Sequence, residues 1–177
     1  MASELLKGLP PIIGEQARVL ILGSFPSAAS LAAGQYYAHQ QNQFWKILGA
    51  ILQLPLFEMN YAAKQAAVKA AGIVIWDVYA TCERAGSLDS AIRNGQPNDF
   101  AKLRKSVLAG RHDLPRVCFN GQAAGRFAPT LEALGFETVV LPSTSPANAT
   151  WNFERKLAAW REALSLCAQD SRKRPAS

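Results

Sequence analysis

Cysteine is scarce and scattered in this chain. Cys82, Cys118 and Cys167 form no C-x-x-C pair, so neither a disulfide framework nor a cysteine-based zinc or iron–sulfur cage is expected. No metal and no cofactor is called for, and a reducing cytoplasm suits three separated thiols. Long apolar runs are also missing. The N-terminus, Met1 to Lys7, lacks a basic region followed by an apolar stretch and a small-residue cleavage site, and nothing approaches the roughly 20 residues of a membrane span. A cytoplasmic protein away from membranes is the expectation. Acidic residues are in the minority, 13 against 19 Lys and Arg, for a net charge of +6. Such a balance favours a polyanionic partner, since each phosphate neutralised by Lys or Arg releases a counterion. Charge alone does not establish nucleic acid, because the tail Ser171 to Ser177 itself supplies three positive charges.

The 177 residues, 49% of them apolar, fit one domain with a continuous core. Four short apolar runs read as buried parallel strands: Val19 to Leu22, Ile73 to Trp76, Arg116 to Phe119 and Thr138 to Leu141. Helical spacing runs through Phe44 to Leu52, Phe100 to Leu108, Ala123 to Leu134 and Phe153 to Leu164. That alternation predicts an α/β fold, a three-layer αβα sandwich around a central, mainly four-stranded parallel sheet. One domain is expected over residues 1–170, with a basic flexible tail at 171–177. In such sheets ligands bind beyond the carboxyl ends of the strands. The segments just past those ends are Gly23 to Ser27, Asp77, Asn120-Gly121, and Pro142 to Asn148.

Gly23-Ser24-Phe25-Pro26-Ser27 can turn backbone amides toward the rim, as a donor nest or as an ordinary turn. Tyr36-Tyr37-Ala38-His39-Gln40-Gln41-Asn42-Gln43-Phe44-Trp45 sets aromatic rings and amides directly before an apolar helix. Rings can stack on an extruded base, while Asn and His can bond its edge or a water. Phe44 and Trp45 begin the apolar stripe and belong to the core. His39 taken alone is more often a structural hydrogen-bonding residue than a catalyst.

These segments resemble the uracil-DNA glycosylase superfamily over residues of about 18 to 160. The mismatch-specific branch carries a Gly-x-Asn-Pro loop and an aromatic-Ala-His-Pro-x-Asn-x-Phe-Trp run. Here Gly23-Ser24-Phe25-Pro26 is followed, at a similar distance, by Tyr37-Ala38-His39-Gln40-Gln41-Asn42-Gln43-Phe44-Trp45. The hypoxanthine-DNA glycosylase branch is closer, in Gly-Ser-Phe-Pro-Ser, Tyr-Tyr-x-His, Phe-Asn-Gly at 119–121 and Ser-Thr-Ser-Pro-Ala-Asn at 143–148. The resemblance implies that Tyr37 stacks on the flipped base, that amides around Ser24 and Phe25 line its pocket, and that Asn42 holds the attacking water. Asn42 can instead cap the helix that begins near Gln43. Phe25 departs from the branches that place a water-positioning Asp or Asn there. Asp77 stands where many relatives have an Asn reading the base. Ionised, it only accepts; protonated, it also donates to a carbonyl; its alternative is a solvated strand-end acid or a helix-capping residue. Asn120 orients the pocket or caps the next helix.

The loop Ser143-Thr144-Ser145-Pro146-Ala147-Asn148 resembles the motif that enters the minor groove, contacts phosphates and fills the hole left by the base. Many members have a His there that stabilises the departing base, and this chain has none at 142–150. The implied chemistry is monofunctional hydrolysis of a deaminated base, hypoxanthine first and uracil or xanthine as alternatives, leaving an abasic site. Damaged DNA is the expected partner and a monomer the expected state. Two rivals use the same rim. A serine hydrolase would employ Ser24, His39 and Asp77, although the G-x-S-x-G elbow is absent. A non-catalytic nucleotide-binding module would use the donor turn and leave the aromatic run and the 143–148 loop without a role.

Overall fold

The computed structural model describes residues 4–109 and 111–169, with side chains described as far as 165; the expected basic tail lies outside these residues. In chain order the elements are β1 (Leu5–Lys7), β2 (Val19–Gly23), α1 (Ala28–Ala33), α2 (Phe44–Leu52), α3 (Tyr61–Ala70), β3 (Ile73–Asp77), β4 (Tyr79–Glu83), β5 (Arg93–Pro97), α4 (Phe100–Leu108), β6 (Arg116–Asn120), α5 (Gln122–Gly125), α6 (Ala128–Ala133), β7 (Thr138–Leu141) and α7 (Phe153–Gln169). Four strands form a parallel sheet in the order β3-β2-β6-β7. The four apolar runs read from the sequence are these four strands.

Successive strand residues point to opposite faces, and the central strand shows what that does here. Val19 and Ile21 of β2 join a core layer with Phe44, Trp45, Ile47 and Leu48 of α2, Val68 of α3, and Leu157 and Trp160 of α7. Leu20 and Leu22 join the other layer, with Phe100, Leu103 and Val107 of α4, Ala124 of α5 and Leu131 of α6. Every residue of β2 is buried, which is why its sequence is a continuous apolar run rather than an alternating one. The result is the expected αβα sandwich. The pattern read as one helix over 123–134 is divided into α5 and α6, with Pro129 in the first turn of α6, where its missing N–H costs nothing.

A second sheet was not legible. β1, β4 and β5 form a three-stranded antiparallel sheet in the order β1-β4-β5. β5 is Arg-Asn-Gly-Gln-Pro and largely exposed, so it has no apolar run to mark it, and its pairing with β4 is broken by register shifts. Only Val78 separates β3 from β4. There the Val78 amide donates to the Gly23 carbonyl (2.8 Å) and the Tyr79 amide to that of Ser24 (3.2 Å). The chain leaving the parallel sheet thereby fixes the loop after β2. Among the described residues, no helix is long and apolar enough to cross a membrane.

Candidate active site

The parallel register brings the carboxyl ends of the four strands to one edge. Gly23 pairs with Asp77, Leu22 with Phe119, and Asn120 with Leu141. A cavity of about 560 Å³ opens there, within the range of sites that enclose a small molecule. Its walls include Gly23 to Ser27, Tyr37, Asn42, Asp77, Asn120 and every residue of the 143–148 loop but Pro146, so the segments singled out from the sequence do meet.

Gly23, Asp77 and Tyr37 form one unit. A Cβ on Gly23 would lie 2.5 Å from Asp77 Oδ1 and 3.1 Å from the Tyr37 hydroxyl, so only glycine leaves room for both groups. Asp77 is 4% exposed, and burial raises its carboxyl to about 7. The nearby Asp89 carboxylate adds to the rise and the Arg84 guanidinium opposes it. At neutral pH the group therefore exists in both protonated and ionised forms. Burial, then the charge of Asp77, also drives the Tyr37 hydroxyl well above the ordinary phenol range. Both Tyr37 Oη and Asp77 Oδ2 are buried without a hydrogen-bond partner. Native interiors rarely tolerate such orphans outside functional sites. Tyr37 is further held in the left-handed backbone region, at φ 55°, a conformation that a bulky residue keeps only when its surroundings impose it. One ring face is covered by Phe44, stacked at 3.8 Å between centroids.

Phe25 also lines the cavity, 6% exposed. Behind it the Arg84 guanidinium lies 5.2 Å from the ring centre. Arg84 is anchored to the Pro26 carbonyl (2.5 Å) and that of Gly86 (3.0 Å). Ser24 donates its hydroxyl proton to Asp89 Oδ1 at 2.5 Å. His39 is exposed and is not among the residues lining the cavity. Its Nδ1 accepts from the Gln41 amide at 3.2 Å. Direct substrate binding by His39 is therefore not supported, and the Ser24/His39/Asp77 triad fails because Ser24 is bonded to a carboxylate instead.

Asn42 borders the cavity just ahead of α2, and its Oδ1 accepts from the Phe44 amide at 2.9 Å. The capping role is thus present, yet an amide oxygen has a second lone pair and the NH₂ two donors. Asn120 is held more tightly, by two bonds to a single residue. Its Nδ2 donates to Thr144 Oγ1 and its Oδ1 accepts from the Thr144 amide, both at 2.9 Å. It shapes the pocket through Thr144 and keeps one N–H and one lone pair, and its amide acts on the Tyr37 hydroxyl against the rise caused by burial; no side chain caps α5. Thr144 in turn is fully buried, and its carbonyl accepts from the Gln43 amide at 3.0 Å. Its side chain cannot touch a phosphate, which corrects the expectation for that position; it ties β6 to the start of α2. The half-buried remainder of the loop folds on itself. Ser143 Oγ accepts from the Ser145 amide, Ser145 Oγ accepts from the Ala147 amide, and Asn148 Nδ2 donates to the Ser143 carbonyl, each at 3.2 Å. Pro146 and Ala147 stand exposed at its tip.

Asp89, Arg84 and the 87–90 segment were not found from sequence. They reach the site only because the β4–β5 connection folds back over it, and Gly86, in the left-handed region at φ 71°, is the turn residue within that connection. No lysine is among the described residues that line the cavity. Among the described residues, no group of three or more His, Cys, Asp and Glu is placed to hold a metal ion.

Comparison with known proteins agrees with this geometry. The family model described as the uracil DNA glycosylase superfamily matches residues 10–164. A hypoxanthine DNA glycosylase of Methanosarcina barkeri is 38% identical over 158 residues, 89% of this chain and 97% of that protein. Its namesake in Methanosarcina acetivorans is 39% identical over 150 residues, 85% of this chain and 92% of that one. A solution NMR structure from M. acetivorans, described as a candidate uracil DNA glycosylase, superimposes with a TM-score of 0.81 at 36% identity, covering 93% of this chain and 99% of that one.

Proposed function

The chain belongs to the uracil DNA glycosylase superfamily, and from that premise we propose that it is a monofunctional DNA glycosylase that hydrolyses the N-glycosidic bond of deoxyinosine in DNA. It acts as one domain and a monomer, in the cytoplasm, without metal or cofactor, and leaves an abasic site for base excision repair. The observation that carries the substrate assignment is the pair of unpartnered polar groups, Asp77 and the Tyr37 hydroxyl, beside Gly23. Hypoxanthine presents an N1–H donor next to an O6 acceptor. A protonated Asp77 matches that edge with one acceptor and one donor. An ionised Asp77 would accept from N1–H but repel O6. The same lactam edge occurs in uracil and xanthine, which are secondary substrates in this reading.

The extruded base enters the cavity at the strand ends, against the Tyr37 and Phe25 rings. As the glycosidic bond lengthens, positive charge develops on the sugar and negative charge on the base, partly at O6. A donor at O6 stabilises that departing charge. No His is present at 142–150, so the Asp77 hydroxyl, with the Tyr37 hydroxyl as its neighbour, fills this role. Water held by the free donor and lone pair of the Asn42 amide captures the sugar cation. Absence of lysine from the cavity walls supports hydrolysis rather than a Schiff base.

The test is an incision assay on duplex oligonucleotides carrying deoxyinosine, deoxyuridine or deoxyxanthosine, with alkaline cleavage at abasic sites. Strand cleavage at deoxyinosine is expected. Tight binding of these duplexes with no abasic product from any of them would leave only the non-catalytic module.

A further inference from the structure

We propose that the β4–β5 connection is a wedge, with Leu88 as the side chain that fills the space vacated when the base leaves the duplex. The inference rests on the glycosylase reading. Of the large apolar side chains lining the cavity, Leu88 is by far the most exposed, at 59% against 36% for Val140 and 6% for Phe25. An isolated leucine exposed to that degree needs no explanation by itself. What distinguishes Leu88 is how its neighbours are held. Ser87 Oγ accepts from the Ala28 amide at 2.9 Å, and Asp89 Oδ1 accepts from the Ser24 hydroxyl. The residues flanking Leu88 are thus tied to the start of α1 and to the loop after β2. The Leu88 carbonyl accepts from the Ala91 amide at 3.0 Å, closing a tight 3-10 turn. Arg84 and Arg93 brace the two ends, through the Gly86 carbonyl at 3.0 Å and the Ser90 carbonyl at 2.8 Å.

A segment this heavily anchored gains nothing for the fold by exposing its most solvent-facing large apolar side chain. A duplex with an extruded base supplies the missing contact: two base-pair steps that have lost their stacking partner and accept an apolar side chain between them. The opposite lip of the cavity cannot supply the wedge equally well. Thr144 is buried, and the tip carries only Pro146 and Ala147. Trp151 lines that side, but the Arg155 guanidinium lies over its ring at 3.9 Å. Gap filling therefore passes from the 143–148 loop, where the resemblance places it, to the β4–β5 turn.

The experiment uses a duplex with 2-aminopurine beside deoxyinosine, whose fluorescence rises when stacking is lost. Wild-type protein should raise the signal on binding and excise in a single turnover. Failure of the wild type to excise would sink the glycosylase reading, an outcome distinct from any effect of changing Leu88. Leu88→Ala should lose most of the fluorescence rise and slow single-turnover excision by about tenfold or more, with an unchanged thermal midpoint because the side chain is exposed. Leu88→Met, which keeps the apolar bulk, should behave as wild type. A wild-type fluorescence rise in Leu88→Ala overturns the proposal, as does loss of the rise in Trp151→Ala with Leu88→Ala unaffected.

Discussion

Asn42 Oδ1 has two lone pairs, and the Phe44 amide occupies one of them. Its two roles can therefore be separated by substitution. Asn42→Ala removes both the cap and the water site, so it should cost about 1 kcal/mol of stability and lower single-turnover excision by orders of magnitude while leaving DNA binding largely intact. Asn42→Ser retains a capping oxygen but lacks the amide donors, so it should recover stability without recovering rate. A Ser variant with wild-type kinetics would return Asn42 to capping alone. Asp77 yields a pH prediction. Its carboxyl is raised from 3.8 to about 7, so the donor form needed at O6 is lost as pH rises through about 7. Excision should fall there in the wild type and stay flat in Asp77→Asn, whose amide offers one donor and one acceptor at every pH. The sign for stability comes from linkage. With the folded value above the unfolded one, the fold loses stability as pH rises from about 4 to about 7. Asp77→Asn should therefore raise the thermal midpoint more at pH 8 than at pH 5. An equal gain at both pH values would contradict the ionisation assigned to this group. Asp77, Asn42 and Tyr37 were legible because each lies just past a strand or just ahead of a helix that the apolar pattern locates. Arg84 and Asp89 were not, since their proximity depends on a hairpin with no local pattern of its own.

At the scale of elements, the site is held by one threonine. Thr144 joins the end of β6, through Asn120, to the start of α2, through Gln43. Thr144→Val keeps the shape but takes the partner from the half-buried Asn120 Nδ2, which should destabilise the protein by about 1 kcal/mol. Combining it with Asn120→Leu should give a double variant clearly more stable than the sum of the two losses, because the partners share one interaction. Chemical denaturation of the four proteins measures this, and strict additivity would show that the two side chains do not work together. The sequence marks both residues as polar and strand-adjacent. It does not reveal that they bind each other, because a loop 24 residues away must first be brought back by the sheet.

For the whole molecule, the parallel sheet and its flanking layers were legible because burial on both faces writes an apolar run into every strand. The antiparallel sheet was not, because a half-exposed strand such as Arg93–Pro97 needs only backbone pairing and leaves its side chains unconstrained. Charge is also a property of the entire chain. Removing residues 171–177 takes away Arg172, Lys173 and Arg174. If these reach phosphates, the salt dependence of DNA affinity should become shallower, by up to about 2.7 in the log–log slope, with the single-turnover rate unchanged. Binding isotherms over a salt series decide this, and an unaltered slope means the tail does not contact DNA.

The pairing of Gly23 with Asp77 gives the sheet a further meaning. If Asp77 reads the base as proposed, the sheet acts as a ruler for that recognition: a slip of one residue between β2 and β3 would move the carboxyl by about 3.3 Å along the strand and turn it to the opposite face. Discrimination among bases is thus calibrated by backbone hydrogen bonds deep in the protein. In that reading the rim loops can be changed without disturbing the calibration, and a change of preferred base is most accessible through positions 37 and 77 while position 23 stays glycine.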